Sequence, residues 1–321
     1  MQIVHSLAEL SSITSPSVVT IGNFDGVHCG HRMVIASVIA RAKALNARSV
    51  AVTFDPHPAH ILHDGSRLPL ITPLAEKLEL LAATGLDLVL VLPFNEDFRL
   101  WSARQFAERV LAEGLHAVEV HEGETFRFGH NAEADITDLE HFGRELGFTV
   151  RAYEPFIQRG AAVSSSRIRK LIAAGSLSHA RALLGHSFSI RSTPASGRGY
   201  GTLYTVPTIN LAPYTELLPA NGVYITTLRV GDGPDARLFR GVTNAGNRPT
   251  FGADSFAVET HLLNFEPIPL TESTPLELTF LHRIRAEQRF PSPEALRAQI
   301  GLDVRQTQRF FALCDSFQIY A

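Results

Sequence analysis

The chain has 321 residues, 45% of them hydrophobic and 19% charged, a composition typical of a globular protein of about two domains. Its formal net charge of −3 gives no broad positive field for nucleic acid or an anionic membrane, and no apolar run is long enough to span a bilayer. The two cysteines, Cys29 and Cys314, form neither a disulfide framework nor a zinc pattern. These properties predict a cytoplasmic protein of enzyme size.

The first half of the chain alternates strand and helix patterns. Runs of β-branched and apolar residues predict strands over 17–22, 48–54, 86–94, 116–121 and 148–153. Apolar residues at helical spacing predict helices over 31–46, 72–85 and 102–114. In the first helix, Val34, Val38 and Leu45 are predicted to face the core. Such alternation predicts a doubly wound α/β fold, a parallel sheet with helices on both faces and ligands beyond the carboxyl ends of its strands.

Two of these helices carry signals at their ends. Thr72 is expected to cap the second helix, with Pro73 at its first position and Gly85 at its end. Ser102 and Gln105 have the spacing of a capping box, which predicts the start of the third helix.

The pattern changes near Gly185. The preceding segment, 164–185, is typical of a helical hairpin, and glycine, proline and threonine become more frequent after it. Strands are then predicted in succession over 222–230, 237–246, 256–265 and 275–284, before a long helix over 292–313. The sequence therefore predicts an α/β domain over 1–185 and a small antiparallel β-barrel domain with a C-terminal helix over 186–321.

The turn after the first predicted strand carries the first candidate site. In the stretch GNFDGVHCGH, Gly22, Gly26 and Gly30 allow the backbone to approach a ligand closely. His28 and His31 share one face of a helix that is predicted to begin near His28. The first N–H groups of that helix favour an anion, and two imidazoles can donate hydrogen bonds to phosphoryl oxygens. The stretch therefore predicts a triphosphate site.

The chain has no phosphate-binding loop of the form GxxxxGKS/T, and its only lysines are Lys43, Lys77 and Lys170. Phosphate chemistry is therefore expected to use arginine, histidine, backbone N–H groups, helix ends or a metal ion.

Simpler interpretations of the same residues stay open. His28 and His31 have the spacing of half a metal site, although no third ligand is apparent, and they are also compatible with a capping and packing role. Cys29 lies where a helix start lowers a thiol pKa, which is compatible with a nucleophile or with a thiol that takes no part.

The same stretch resembles a family segment. GNFDGVHCGH is similar to the GxFDGxHxGH segment of the bifunctional bacterial riboflavin kinase/FMN adenylyltransferases, or FAD synthetases. VSSSRIR, over 163–169, resembles the family's ISSTxIR, and FDPHP, TPLAEKLELL and FRFG follow in the family's order and spacing. The resemblance implies a nucleotidyltransferase domain in which His28 and His31 contact the phosphates of ATP. The nucleotide-binding residues that it implies here are Gly22, Asn23, Asp25, Gly30, Ser164, Ser165 and Arg167.

A second candidate site follows in the C-terminal half. YTVPTINL, over 204–211, resembles the family's GxPTANL, and NAGNRPTFG resembles its NxGxRPTF. Thr208 and Asn210 share a face if this segment is extended, and their oxygens suit Mg²⁺ beside nucleotide phosphates. The resemblance also implies that Gly197 and Gly201 contact the nucleotide.

A carboxylate on a predicted strand completes that site. In FAVETHLLNF, Glu259 and His261 alternate with Val258, Thr260 and Leu262, so the two groups lie on opposite faces. A glutamate at mid-strand can act as general base toward an alcohol, and it can equally be a solvated strand residue. The segment resembles the family's VExHLLDF, which implies that Glu259 is the catalytic glutamate.

The implied function is twofold. The C-terminal domain is expected to phosphorylate riboflavin to FMN with ATP and Mg²⁺, and the N-terminal domain to convert FMN and ATP to FAD and pyrophosphate. The chain departs from the family pattern at Thr125, Ala134, Ser192, Pro194, Thr202 and Thr205. These departures motivate an alternative, an FMN adenylyltransferase or flavin-binding regulator with an impaired kinase module. A nucleotidyltransferase for another phosphate or small acid is a further alternative, which the C-terminal motifs disfavour.

Overall fold

The structure is a computed structural model that describes residues 1–12, 14–62, 67–195, 208–247, 256–263, 266 and 270–318. Contacts divide the chain into two units, Met1–Ser165 and Ser166–Ala321. No helix within the described ranges is both long and apolar enough to cross a membrane.

The first unit is built on a six-stranded parallel sheet. Its strands are β1 (Gln2–Val4), β2 (Ser17–Ile21), β3 (Arg48–Asp55), β4 (Leu88–Pro93), β5 (Ala117–Gly123) and β6 (Thr149–Tyr153). They are ordered β1-β4-β3-β2-β5-β6, so the order reverses at β2, which pairs with β3 on one side and β5 on the other. This confirms the doubly wound sheet. Strand β1 was not expected, because three residues are too few to show an alternating pattern.

Helices cover both faces of this sheet, as predicted. They are α1 (Cys29–Leu45), α2 (Ala59–Leu62), α3 (Leu74–Ala82), α4 (Ala103–Phe106), which continues as a π-helix over Ala107–Gly114, and α5 (Ile136–Leu146). Residues of α1 and α3 share an apolar cluster with Val18, Ala51 and Val89 of the sheet. Residues of α4 and α5 share another cluster with the opposite face of the same strands. A two-stranded hairpin, β7 (Ile157–Gln158) and β8 (Ala161–Ala162), ends the unit.

The start and length of α1 agree with the sequence, but its buried face was predicted correctly only at Val38. The side chains that reach the core are Ile35, Val38 and Ala42, and Leu45 is 41% exposed. Val34 is only half-buried. The helix is apolar on more than one side, so apolar spacing alone did not identify the side that packs on the sheet.

The predicted cap of α4 is confirmed, whereas the predicted cap of α3 is wrong. The capping box of Ser102 and Gln105 is present at the start of α4, with both reciprocal hydrogen bonds. At α3 the N-cap is Pro73, and no side chain caps the helix. Thr72 is therefore not the cap, because its hydroxyl accepts a hydrogen bond from the N–H of Gly26 instead.

Within the described residues, the second unit contains three α-helices and an antiparallel sheet. Helix α6 (Ser165–Ala173) starts at the last residue of the first unit, and it is followed by α7 (Leu177–Leu184). The remaining elements are β9 (Phe188–Ser192), β10 (Thr208–Asn210), β11 (Gly222–Val230), β12 (Arg237–Asn247), β13 (Phe256–Leu263), β14 (Leu276–Ala286) and α8 (Pro293–Ser316). The six strands are ordered β10-β13-β12-β11-β14-β9. A bridge between Pro194 and Leu211 joins the two outer strands, so the sheet curls into the predicted barrel.

The two faces of this sheet have different partners. Thr226, Thr243 and Thr260 lie inside the barrel, fully buried, and their hydroxyls form a chain with O–O distances of 2.7 and 2.9 Å. On the outer face, Ile225 and Leu281 pack against Phe311 of α8. The same helix is fixed by Asp303, which is 2% exposed and accepts a hydrogen bond from Arg285 at 2.9 Å.

The hydroxyl chain gives a stability prediction. Thr243→Val keeps the side-chain shape but leaves the hydroxyls of Thr226 and Thr260 unpaired inside the barrel, so we expect it to lower the free energy of unfolding by about 1–3 kcal/mol. Replacing all three threonines by valine removes every polar atom of the chain and should cost less than the single change. Calorimetry measures both, and Trp101, the only tryptophan, reports the first unit separately by fluorescence. A triple variant less stable than Thr243→Val would contradict this account.

The packing of α7 gives a second stability prediction. Helix α7 contacts β9 and β14, and its Leu177, Ala180, Leu183 and Leu184 are buried. A fragment over 166–321 should therefore be more stable than one over 186–321 by at least about 3 kcal/mol, since burying one leucine contributes about 1.5–3 kcal/mol. Thermal unfolding of the two purified fragments measures the difference. Equal melting temperatures would mean that α6 and α7 do not stabilise the barrel.

Candidate active sites

The first candidate site is the turn between β2 and α1, where the strand order reverses. Phe24, Gly26 and Val27 all have positive φ, at 47°, 84° and 37°, so the backbone coils tightly between the end of β2 and His28. Glycine adopts this conformation without cost, whereas Phe24 and Val27 are held in it by their surroundings. Ligands of doubly wound sheets bind at such a reversal, beyond the strand ends.

A buried carboxylate holds the turn in place. Asp25 accepts hydrogen bonds from the N–H groups of Ile71 and Thr72, both at 3.0 Å. The hydroxyl of Thr72 in turn accepts from the N–H of Gly26 at 2.9 Å. Asp25, predicted to be a nucleotide-binding residue, therefore uses its carboxylate to join the turn to the segment before α3.

A buried lysine holds the other side of the turn. The ammonium group of Lys77 in α3 donates to the carbonyl of Asn23 at 3.2 Å, the hydroxyl of Thr53 at 3.1 Å and the carbonyl of Phe54 at 3.4 Å. Burial lowers the pKa of Lys77, while Asp25 and Asp55 act in the opposite direction. The sequence analysis assigned Lys77 no role, although a lysine between Leu74 and Leu78 on the apolar side of a helix is itself a signal.

The two predicted histidines lie against each other. The rings of His28 and His31 are stacked with centroids 3.6 Å apart, and Phe24 contacts His31 edge-on at 5.2 Å. His28 is the N-cap of α1, as its Nδ1 accepts the N–H of His31 at 3.2 Å. A Cβ atom at Gly30 would lie 3.2 Å from the His28 ring, so a glycine there allows this stacking. The pair thus combines the capping role with a geometry suited to ligand binding.

Both imidazoles are neutral near pH 7. Burial lowers the pKa of His28 to about 4, although Asp25 acts in the opposite direction. Burial also lowers the pKa of His31 well below its usual value, and His28 and Lys77 lower it further. Because Nδ1 of His28 accepts a hydrogen bond, its proton is on Nε2. Among the described residues, nothing bonds to Nδ1 of His31, which is buried.

The other predicted nucleotide-binding residues differ in their exposure and in the unit to which they belong. Gly22 follows β2, and Asn23 is exposed next to it. The hydroxyl of Ser165, the first residue of α6, donates to the carbonyl of Asp25 at 2.8 Å. Ser164 is exposed immediately before it, and Arg167, two residues further along α6, belongs to the second unit.

Glu122 was not anticipated by the sequence analysis. It lies on β5 beside the end of β2, where its carboxyl accepts hydrogen bonds from Thr20 at 3.3 Å and from the N–H of Ile21. Burial raises its pKa well above the usual value. This side chain thus joins β5 to the end of β2, at the point where the strand order reverses.

The second candidate site is a block of side chains on the outer face of the barrel. Asn210 pairs directly with Glu259, and Thr208 with His261, on the antiparallel strands β10 and β13. Directly opposed side chains lie on one face, with Cβ atoms about 4.5–5.5 Å apart. The block therefore brings together the predicted metal ligands and the predicted base. Gly197 and Gly201 lie outside the described residues, as do Thr202 and Thr205.

A third strand extends this block. Asn244 on β12 is the direct partner of Glu259 on the side away from Asn210, so Glu259 has an amide residue on either side. Glu259 is half-buried, while Val258, Thr260 and Leu262 face the interior, as the alternation predicts. Asn244 begins the NxGxRPTF resemblance, which was the available signal for its position.

The donor atoms of the block fit one class of metal ion. Throughout the described ranges, no three or more His, Cys, Asp or Glu side chains are grouped to hold a metal. Thr208 and Asn210 offer a hydroxyl and an amide oxygen instead, and hard oxygen ligands of this kind fit Mg²⁺ bound together with phosphates.

Comparisons with known proteins match both halves of the chain to known families. The FAD synthetase family matches residues 10–167, and the riboflavin kinase family matches residues 184–311. A crystal structure described as a macrolide-efflux protein from Streptococcus pneumoniae covers 95% of this chain and 98% of its own, with a TM-score of 0.85. At 24% identity, that likeness shows the fold alone.

Full-length relatives show the family. The bifunctional riboflavin kinase/FMN adenylyltransferase of Pseudomonas fluorescens is 35% identical over 305 residues, which are 95% of this chain and 96% of the relative. The protein of the same name from Escherichia coli K12 is 32% identical over 315 residues, which are 98% of this chain and 99% of the relative. With both halves matched in order and along almost their whole length, the chain belongs to the family of bifunctional riboflavin kinase/FMN adenylyltransferases.

Proposed function

We propose that the chain makes FAD in two steps at two sites. Its second unit phosphorylates riboflavin with ATP to give FMN, and its first unit joins FMN to the adenylyl group of ATP, with release of pyrophosphate. The family supports both activities. The observation that carries the first step is the Asn210–Glu259–Asn244 row, and the stacked pair of His28 and His31 at a helix start carries the second.

In the adenylyl transfer, an oxygen of the FMN phosphate attacks the α-phosphorus of ATP, and the bond to the pyrophosphate oxygen breaks. This step needs alignment and stabilisation of the developing charge rather than a protein nucleophile. Neutral imidazoles act as N–H donors to the phosphates, beside the first N–H groups of α1. Asn23, Ser164 and Ser165 complete the proposed nucleotide site of the first unit. A nucleotide contact by Arg167, whose guanidinium suits bidentate binding of a phosphate, stays a prediction.

In the kinase, Glu259 accepts the proton of the riboflavin 5′-hydroxyl as its oxygen attacks the γ-phosphorus of ATP, and ADP leaves. The row of paired residues supports this role, because the strand register places an amide residue on either side of Glu259. Thr208 and Asn210 would hold Mg²⁺, which would supply charge neutralisation to the phosphates. Nucleotide contacts by Gly197 and Gly201 stay a prediction.

We also propose that the functional boundary lies near residue 185. The limits of the family matches support it, since the FAD synthetase match ends at 167 and the riboflavin kinase match starts at 184. The contacts of α6 and α7 assign these helices to the second unit, so the two helices would stabilise the kinase barrel from outside its catalytic sequence. A cytoplasmic location stays a prediction from composition.

One assay tests the proposed function. The pure protein is incubated with riboflavin, ATP and Mg²⁺, and the flavins are separated by chromatography. The proposal expects FMN and then FAD. FAD formed only from supplied FMN would favour an impaired kinase module, and no turnover with retained flavin binding would favour a regulator.

The histidine pair gives a prediction for the adenylyl site. His31→Ala should lower FAD formation from FMN by roughly a hundredfold or more, because it removes a donor to the transition state. His28→Asn should have a similar effect with little loss of stability, since asparagine keeps the N-cap of α1. Steady-state rates of FAD formation measure both effects.

The exposed His5 provides the matched control, because His5→Ala should change neither the rate of FAD formation nor the rate of FMN formation. FMN formation should stay normal in all three variants. A folded His31→Ala protein that loses both activities would mean that the sites are assigned to the wrong units.

The strand glutamate gives a prediction for the kinase. Glu259→Gln keeps shape and hydrogen bonding but removes the proton acceptor, so riboflavin phosphorylation should fall about 10²–10⁴-fold while ATP still binds. FAD formation from supplied FMN should continue at its normal rate. The exposed Glu272 offers a control of equal charge change, Glu272→Gln. If Glu259→Gln retains kinase activity within a few-fold, the glutamate is only a solvated strand residue.

A further inference from the structure

The chain has three lysines, and one of them is buried. Lys43, in the last turn of α1, and Lys170, in α6, are exposed, whereas Lys77 is 5% exposed. A long, charged side chain is seldom buried unless a partner of opposite charge or a functional need compensates for its loss of hydration. The position of Lys77 therefore calls for an explanation.

The hydrogen-bond partners of Lys77 do not neutralise its charge. Among the described residues, the three acceptors of its ammonium group are two carbonyls and a hydroxyl, from Asn23, Phe54 and Thr53. Asp25 and Asp55 influence it through space, but the Asp25 carboxylate bonds to the backbone N–H groups of residues 71 and 72. The cation is thus solvated by dipoles, and its field extends into the turn above it.

That field reaches the histidine pair. The ammonium group of Lys77 donates a hydrogen bond to the carbonyl of Asn23 in the turn itself, and its charge acts with burial and His28 to lower the pKa of His31. Asn23 is exposed on the other side of the same backbone. A phosphate chain bound at the start of α1 would therefore lie across the turn from a fixed positive charge that water does not screen.

We propose that Lys77 is a positioning residue that holds a positive charge beneath the turn for the polyphosphate of the nucleotide, without contacting it. The charge favours ATP and the departing pyrophosphate in proportion to their own charge, and the bond to Asn23 keeps the turn in register. In this chain a lysine thus serves phosphate chemistry from inside the protein, where a phosphate-binding loop would present it at the surface. The inference rests on the proposed adenylyl transfer at this turn.

A purely structural role for Lys77 makes a different prediction. If the lysine only supports the turn, its loss should weaken all ligands of the site alike, whether charged or neutral. If its charge acts on the phosphates, the loss of affinity on removing the lysine should be larger for ligands that carry more negative charge. Inhibition of FAD formation from supplied FMN separates the two, because it reports only on the adenylyl site and not on ATP bound by the kinase.

The first experiment compares Lys77→Met with Lys43→Met, which removes the same charge from the surface of the same unit. We expect Lys77→Met to raise the inhibition constants of pyrophosphate and ADP, and the KM for ATP, by roughly tenfold or more. The inhibition constant of adenosine should change by less than about twofold. Lys77→Arg should recover part of the affinity for pyrophosphate. Lys43→Met should change none of these constants, and riboflavin phosphorylation should be normal throughout.

A second experiment uses the unaltered protein, so it does not depend on the folding of a variant. Lysine labelled with ¹³C at the ε-carbon gives signals from only three side chains, and each is titrated with and without pyrophosphate. An anion across the turn stabilises the charged ammonium, so pyrophosphate should raise the pKa of Lys77 and leave those of Lys43 and Lys170 unchanged.

The outcomes decide between the alternatives. The role of the charge would be overturned if Lys77→Met lost affinity for adenosine and for pyrophosphate equally. It would also be overturned if pyrophosphate left the pKa of Lys77 unchanged. If the unaltered protein forms no FAD and pyrophosphate moves no lysine signal, the proposed adenylyl transfer is itself wrong, and the inference that rests on it is wrong as well. If it forms FAD and only the Lys77 tests fail, the proposed function stands and this inference alone is wrong.

Discussion

The first site depends on the hydrogen bonds that the Asp25 carboxylate accepts from the backbone N–H groups of Ile71 and Thr72. They anchor a turn that has three residues at positive φ and whose own side chains are mostly too small or too apolar to bind each other. Asp25 joins this turn to the start of α3, and α3 carries Lys77 back beneath the same turn. An anion and a cation thus fix one loop from two sides, although neither directly bonds to the other.

This arrangement explains why the two histidines are neutral donors rather than cations. The fixed turn places His28 against His31, burial lowers the pKa of both rings, and His28 lowers the pKa of His31 further. The positive charge that phosphate chemistry requires is instead located in Lys77 and in the dipole of α1. The site therefore separates two tasks: groups with a fixed charge provide the field, while uncharged groups with a defined proton provide directed hydrogen bonds.

The sequence predicted most of the fold because its elements carry strong local signals. The buried runs of β3 and β4, the capping box of Ser102 and the alternation around Glu259 each depend on neighbouring residues alone. Thr72 shows where such reasoning fails: its sequence context favours a helix cap, but a distant N–H group, that of Gly26, takes its hydroxyl. Lys77 and Glu122 were missed for the same reason, since their partners lie on strands far away in sequence.

The second site depends on a different constraint, the register between strands. An alternating pattern in β13 places Glu259 on the outer face, but only the pairing of β13 with β10 and β12 puts Asn210 and Asn244 beside it. A shift by one residue would turn Glu259 toward the barrel interior, where Thr243 and Thr260 are joined by hydrogen bonds. The buried threonine chain therefore opposes such a shift, because every alternative register would separate its hydroxyls. Through this register, polar groups inside the barrel determine which side chains meet on the face that carries the second candidate site.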